Sequence, residues 1–234
     1  MSRKTPRFYF SLRSPYSWLA YRELMSRFRD VAETIEWRPY YEPDEHSAGL
    51  IRAQGAELPY AEMTRAKHFY ILQDVARLAR ERGIEVTWPV DRDPVWEVPH
   101  LGYLYARRHG KGLAYIDAVY RARWEQGRDI CDRATIGEIG ALLELDSVAV
   151  ANAADDGELR GEGAVSMAEA FRHGAFGVPF FVQGFTRFWG LDRLEAFAGH
   201  VRARQAPAQA EPEVVTAAVG MGPGPDDGHA GGCG

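Results

Sequence analysis

Residues 7–12, Arg-Phe-Tyr-Phe-Ser-Leu, run directly into Arg13-Ser14-Pro15-Tyr16-Ser17 and then into a helical pattern. This junction constrains the fold more than any other stretch. An aromatic run bounded by turn residues reads as a short strand. Ser14 is a good helix N-cap, and Pro15 has the fixed φ of a first helical position. Trp18, Tyr21, Met25 and Phe28 then recur on one helical face. Residues 34–41 read as a second strand, so the chain opens as a βαβ unit.

The middle of the chain changes period. From Tyr60 to about Arg82, Ile71, Val75, Leu78 and Ala79 mark an amphipathic helix that Gly83 closes. Further helices are expected over 97–109, 113–126, 133–144, 147–154 and 161–173. No strand signal lies between about 46 and 174. β character returns at Gly177-Val178-Pro179, which leads into Phe180–Gln183. Gly184 turns the chain into Thr186–Trp189, giving a hairpin. Gly190-Leu191-Asp192-Arg193 then starts a last helix with Leu194 and Phe197 inward.

The pattern is βαβ, a helical insertion, then ββα. It predicts an α/β chain with a thioredoxin-like plan and a small mixed sheet. Residues 7–45 and 174–204 are expected to form a split thioredoxin-like domain, and residues 46–173 an inserted helical domain. Residues 205–234, rich in Gly and Ala, read as a disordered acidic tail. Ligand sites favour such domain boundaries.

Composition narrows the function classes. At 46% hydrophobic and 26% charged over 234 residues, the chain is ordinary globular material. No stretch of about 18 uncharged apolar residues suggests a membrane span. Met1–Arg7 lacks the apolar core of a secretory signal. The two cysteines, Cys131 and Cys233, are too few for a disulfide framework or a four-ligand zinc site. A cytoplasmic protein without a metal is therefore expected. The net charge is −5, but residues 205–234 hold four acids and no Lys or Arg, leaving 28 basic against 29 acidic residues in the body. Such a near-neutral body lacks the basic footprint of a nucleic-acid binder.

The turn at Ser14 is where chemistry is expected. The free N–H groups and dipole of a helix start favour an anion. A thiolate is an anion, and in redox members of such folds a cysteine sits at this place with a lowered pKa. Here Ser14 and Ser17 are serines. A serine cannot form a disulfide, but it can donate a hydrogen bond to a thiolate carried by a bound small molecule. The plainer reading makes Ser14 only an N-cap. Pro179 has no N–H, so the backbone of Val178 is offered to an added extended peptide, or else Val-Pro is an ordinary strand start. Asp192 reads as a cap of the last helix or as an acceptor for a ligand ammonium group.

Three motifs are carried in order: Phe8-Tyr9-Phe10 with Ser14-Pro15-Tyr16-Ser17-Trp18-Leu19-Ala20; Gly174-Ala175-Phe176-Gly177-Val178-Pro179; and Phe188-Trp189-Gly190-Leu191-Asp192-Arg193-Leu194. Together they resemble the 2-hydroxychromene-2-carboxylate isomerases and kappa-class glutathione transferases, of the DsbA-like branch of the thioredoxin superfamily. The resemblance covers about residues 7–200. It implies a thioredoxin domain with a helical insertion, a homodimer, and a site for glutathione or another low-molecular-weight thiol. It carries sulfur activation to Ser14, backbone pairing with the glutathione chain to Val178, and binding of the γ-glutamyl end to Leu191 and Asp192.

Lys67 matches a family lysine suited to a substrate carboxylate. Tyr16, Trp18, Trp88 and Trp96 are candidate walls for a small aromatic or polyketide-like substrate. Many relatives carry Gly-Asn where this chain has Gly55-Ala56. The resemblance implies a thiol-dependent isomerase, whose thiolate adds reversibly to a conjugated keto acid or enone. A kappa-like transferase or peroxidase would consume the same thiolate. A DsbA-like dithiol oxidoreductase lacks its cysteine pair here, and Cys131 reads as packing. A non-catalytic binding module remains as the last alternative, with His229 and Cys233 in the tail as weak soft-metal ligands.

Overall fold

β1 (Arg7–Phe10) is the central strand of the sheet, and Phe8, Tyr9 and Phe10 are all fully buried. Its alternating side chains feed two cores. Phe8 and Phe10 point into the larger one, with Trp37, Tyr103 and Phe181; Tyr9 joins Ala170, Ala175, Phe180 and Val182 on the other face. This explains why the run is aromatic at every position: helices cover both faces. The computed structural model describes residues 4–57 and 64–205.

The sheet order is β2-β1-β3-β4, with β2 spanning Glu36–Pro39, β3 Phe180–Gln183 and β4 Thr186–Trp189. β1 and β2 run parallel; β3 and β4 are antiparallel to their neighbours. The expected strands 7–12 and 34–41 are thus shorter cores of four residues. α1 (Pro15–Arg27) and the short α2 (Arg29–Ala32) connect β1 to β2. The expected thioredoxin-like plan, a small mixed sheet interrupted by a helical insertion, is present.

Between β2 and β3 lie α3 (Glu45–Ala53), α4 (Arg65–Glu81), α5 (Glu97–Arg108), α6 (Gly112–Trp124), α7 (Arg133–Leu142), α8 (Ser147–Ala151) and α9 (Gly157–Arg172). Side-chain caps start most of them: Asp44, Thr64, Asp132, Asp146 and Asp156 each accept a first-turn N–H. α9 begins four residues before the expected 161 because Asp156 caps it. The expected helix 147–154 splits, with a 3₁₀ turn at Ala153–Asp155. The start of the helix expected at Tyr60 falls partly outside the described residues, as does the tail expected after Gln205.

The block does not stand apart from the sheet. The main core is continuous from Phe8 and Phe10 through Leu101, Tyr103, Tyr115 and Tyr120 to Met167. Ser166 Oγ–H on α9 donates to the Pro39 carbonyl at 2.9 Å, and the Tyr103 hydroxyl donates to the Trp37 carbonyl at 3.0 Å. α10 (Leu194–Gln205) closes the fold, with Leu194, Phe197, Ala198 and Val201 inward. Among the described residues no helix is long and apolar enough to cross a membrane.

Candidate active site

The Ser14 turn sits at the end of β1, and its geometry removes the conflict between its two readings. Ser14 is the N-cap of α1, with φ −84 and ψ 122, and its Oγ accepts the Ser17 N–H at 3.2 Å. A hydroxyl has one donor and two acceptor positions. Capping uses one acceptor and leaves the proton free. Pro15 has no N–H, and the Tyr16 N–H has no partner among the described residues. One O–H and one N–H therefore remain available at a helix start, where the dipole adds partial positive charge.

The turn is held from below. The Ser14 N–H donates to the Ser11 carbonyl at 3.1 Å, and the Tyr120 hydroxyl donates to that carbonyl at 3.0 Å. The Ser11 N–H donates to Ser17 Oγ at 3.3 Å. The Leu12 N–H donates to His100 Nε2 at 2.9 Å. That nitrogen must then be bare, so Nδ1 carries the proton and donates to the Trp96 carbonyl at 2.7 Å. His100 is completely buried and stacked on Tyr41, with ring centroids 4.9 Å apart. Burial first, then the charges of Arg123 and Arg13, push its pKa down to about 3. The ring is neutral. Nothing in the sequence singled out His100, a lone histidine in a helix whose partner lies 88 residues away.

The opposite wall comes from β3. Tyr9 pairs with Phe180 in antiparallel register, so two further residues along each strand bring Ser11 level with Val178. The Val178-Pro179 peptide is cis. Neither the N–H nor the C=O of Val178 has a partner among the described residues. The Pro179 carbonyl accepts the Gly190 N–H at 3.0 Å, which brings Leu191 and Asp192 beside Val178. Gly190 has φ +101, and a Cβ there would lie 2.6 Å from Asp192 Oδ1. Only glycine suits that bend.

The cap expected of Asp192 is absent. The chain makes a 3₁₀ turn at Leu191–Arg193 with no side-chain cap, and α10 starts only at Leu194. The Asp192 side chain is 71% exposed and faces Arg193 at 3.5 Å. Leu191 is nearly buried. Ser14, Val178, Leu191 and Asp192 thus share one end of the sheet.

The expected substrate-side residues divide. Tyr16 is half-buried, and its hydroxyl donates to Asp74 Oδ2 at 2.8 Å; burial and then Asp74 raise its pKa. Lys67 is exposed on α4 and has no ion pair among the described residues. Trp88 is partly exposed, packs edge-on against Trp124 and lines a shallow depression with Thr87, Val90 and Gly127. Trp96 is not an open wall. It is only 3% exposed, with the guanidinium groups of Arg13 and Arg123 each 5.1 Å from its ring. Trp18 is likewise core, stacked on Trp124. Ala56 is buried, with no side-chain donor to offer. His229 and Cys233 lie outside the described residues. Cys131 is partly buried, and burial, then Asp129 and Asp91, push its thiol up to about 12.

A family model described as a DSBA-like thioredoxin domain matches residues 7–202. Two curated relatives are named 2-hydroxychromene-2-carboxylate isomerase. The one from Sphingobium xenophagum is 28% identical over 82% of this chain and 95% of its own length. The one from Pseudomonas putida is 26% identical over 80% of this chain and 89% of its own. A solved 2-hydroxychromene-2-carboxylate isomerase superposes with a TM-score of 0.66 at 24% identity, covering 86% of this chain and 97% of that one.

Proposed function

The chain belongs to the DSBA-like thioredoxin domain family, and we propose that it is an isomerase of the 2-hydroxychromene-2-carboxylate type using glutathione or a related low-molecular-weight thiol. The names of the two curated relatives, matched over most of their length, support the reaction type. One observation carries the thiol: the Ser14 hydroxyl keeps its proton free beside the unpartnered Tyr16 N–H, across from the unpartnered backbone of Val178.

The residues present fit such a cofactor. Ser14 and the Tyr16 N–H would hold the sulfur as an anion. A hydrogen bond to a charged group is worth roughly 1.5–3 kcal/mol, or about one to two pKa units. Val178 would pair with the peptide backbone of the thiol, as an added strand does. Asp192, freed from capping, would take its ammonium group, with Leu191 beside it. When bound, the thiol supplies a thiolate that adds reversibly to a conjugated double bond, allows rotation about it, and leaves unchanged.

On the substrate side, Tyr16 is fixed by Asp74 and presents its ring at the same helix start. Trp88 offers an aromatic face, and Lys67 a free cation for a carboxylate. Trp96 acts from behind, backing Arg13. The exposed aromatic edge of Phe176, Phe185 and Trp189 offers apolar surface for the homodimer implied by the resemblance.

The test is to follow 2-hydroxychromene-2-carboxylate with and without glutathione and to assay the thiol afterwards. Thiol-dependent isomerisation with full recovery of glutathione is expected. A conjugate in stoichiometric amount would instead make the chain a transferase. A dithiol oxidoreductase is disfavoured by serines at positions 14 and 17 and by the raised Cys131 thiol.

A further inference from the structure

We propose that His100 is the positioning residue of the thiol site: its Nε2 holds the Leu12 amide and so aims the Ser14 hydroxyl and the start of α1 at the sulfur. This rests on the reading above that a thiolate is held beside Ser14. β1 ends at Phe10, and the last main-chain bond there runs from the Tyr40 N–H to the Phe10 carbonyl at 2.7 Å. Residues 11–14 therefore leave the sheet without a strand partner. Their direction is set by side chains, and two of these come from the helical block.

His100 on α5 takes the Leu12 N–H, and Tyr120 on α6 donates to the Ser11 carbonyl. The Ser11 hydroxyl lies 3.3 Å from the same His100 nitrogen, and Ser11 Oγ also accepts the Arg13 N–H at 3.3 Å. His100 is thus the point on which Leu12, Ser11 and, through Ser11, Arg13 and Ser14 converge. Its other nitrogen is tied to the first turn of its own helix, at Trp96. Tyr41 stacks on the ring and prevents rotation. A locked, neutral ring spans the two bonds, accepting at 2.9 Å from the turn and donating at 2.7 Å to α5. A hydrogen-bonded donor at a thiolate loses most of its value when misdirected by tens of degrees. The ring therefore acts on the sulfur through the turn and without touching it.

Two isosteres separate this role from plain packing. His100→Gln keeps an acceptor at the reach of Nε2, and His100→Asn keeps only the Nδ1 side. The thiol pKa of bound glutathione is read from thiolate absorbance in wild type and both variants. His100→Asn is expected to raise it by about one unit, and His100→Gln to keep it near wild type. In the ligand-free protein, exchange of the Leu12 and Arg13 amides is expected to speed at least tenfold in His100→Asn only. Equal shifts in both variants, or none in either, overturn the role of His100 while leaving the thiol site intact. No shifted thiol in wild type itself overturns the thiol site, and this role with it. A measurement without variants covers a failure to fold. The ¹⁵N resonance of His100 Nε2 is expected to move when glutathione binds wild type; an unmoved resonance overturns the inference.

Discussion

Acid should destabilise this protein through His100 in a way that one substitution removes. The ring titrates near 3 in the fold and near 6.5 when unfolded. Between those values the unfolded chain holds the proton and the folded chain does not. The unfolded state then binds more protons, so stability rises with pH through this window and falls as pH drops from about 6.5 towards 3. The full slope is about 1.4 kcal/mol per pH unit. Between pH 8 and pH 5 the loss integrates to about 2 kcal/mol. His173 and His200 are also held below their ordinary values, mainly by burial, so wild type alone mixes several groups. The difference between wild type and His100→Gln isolates the ring. At pH 8 the variant should be less stable by roughly 1–3 kcal/mol, for the donor that Trp96 loses. By pH 5 that gap should have narrowed by about 2 kcal/mol. Urea denaturation followed by tryptophan fluorescence at pH 8, 6.5 and 5 measures it. A gap that stays constant across that range refutes the buried neutral imidazole.

The field of the helix start can be read directly: the thiol introduced by Ser14→Cys should titrate below about 8.5, measured by its alkylation rate against pH. A value at or above that would remove the stabilising field on which the site depends. Gly163→Ala should destabilise by about 1–3 kcal/mol despite better helix propensity, because its Cβ would lie 2.5 Å from Tyr41 Oη and 2.7 Å from Leu101 Cδ2. Gly161→Ala, two residues earlier on a different face of α9 where a Cβ meets open space, should gain about 0.5–1 kcal/mol instead. In a Cys233→Ser background, Cys131 should resist a thiol reagent at pH 8 until the protein unfolds, since its thiol is pushed up to about 12. Native-state labelling at the rate of a free thiol would contradict that burial.

Much of the frame was legible because its signals are local. An aromatic strand, a serine and a proline announce the first junction, and Gly177-Val178-Pro179 and Trp189-Gly190 announce the second and third. The register of β1 with β3 then brings these distant segments to one end of the sheet. What was not legible depends on packing across long separations. The first turn of α9 was hidden by Gly157 at its start, and Gly163 farther along is required by the approach of Tyr41 and Leu101. Asp192 looked like a cap because carboxylates open helices, yet the 3₁₀ turn moves the helix start past it. Trp96 looked like a pocket wall because it is large and aromatic, but two guanidinium groups close over it. His100 gave no local signal, since only the folded chain brings α5 under Leu12.

The central claim is that this fold stabilises a thiolate it does not itself carry. A glutathione titration of the wild-type protein, read as the ultraviolet absorbance of the thiolate against pH, tests it most directly. The bound sulfur should titrate about one to two units below the same thiol free in solution, and the Ser14→Ala protein should lose most of that shift. A bound thiol that titrates as it does in water, or a protein that binds no small thiol, would contradict the account.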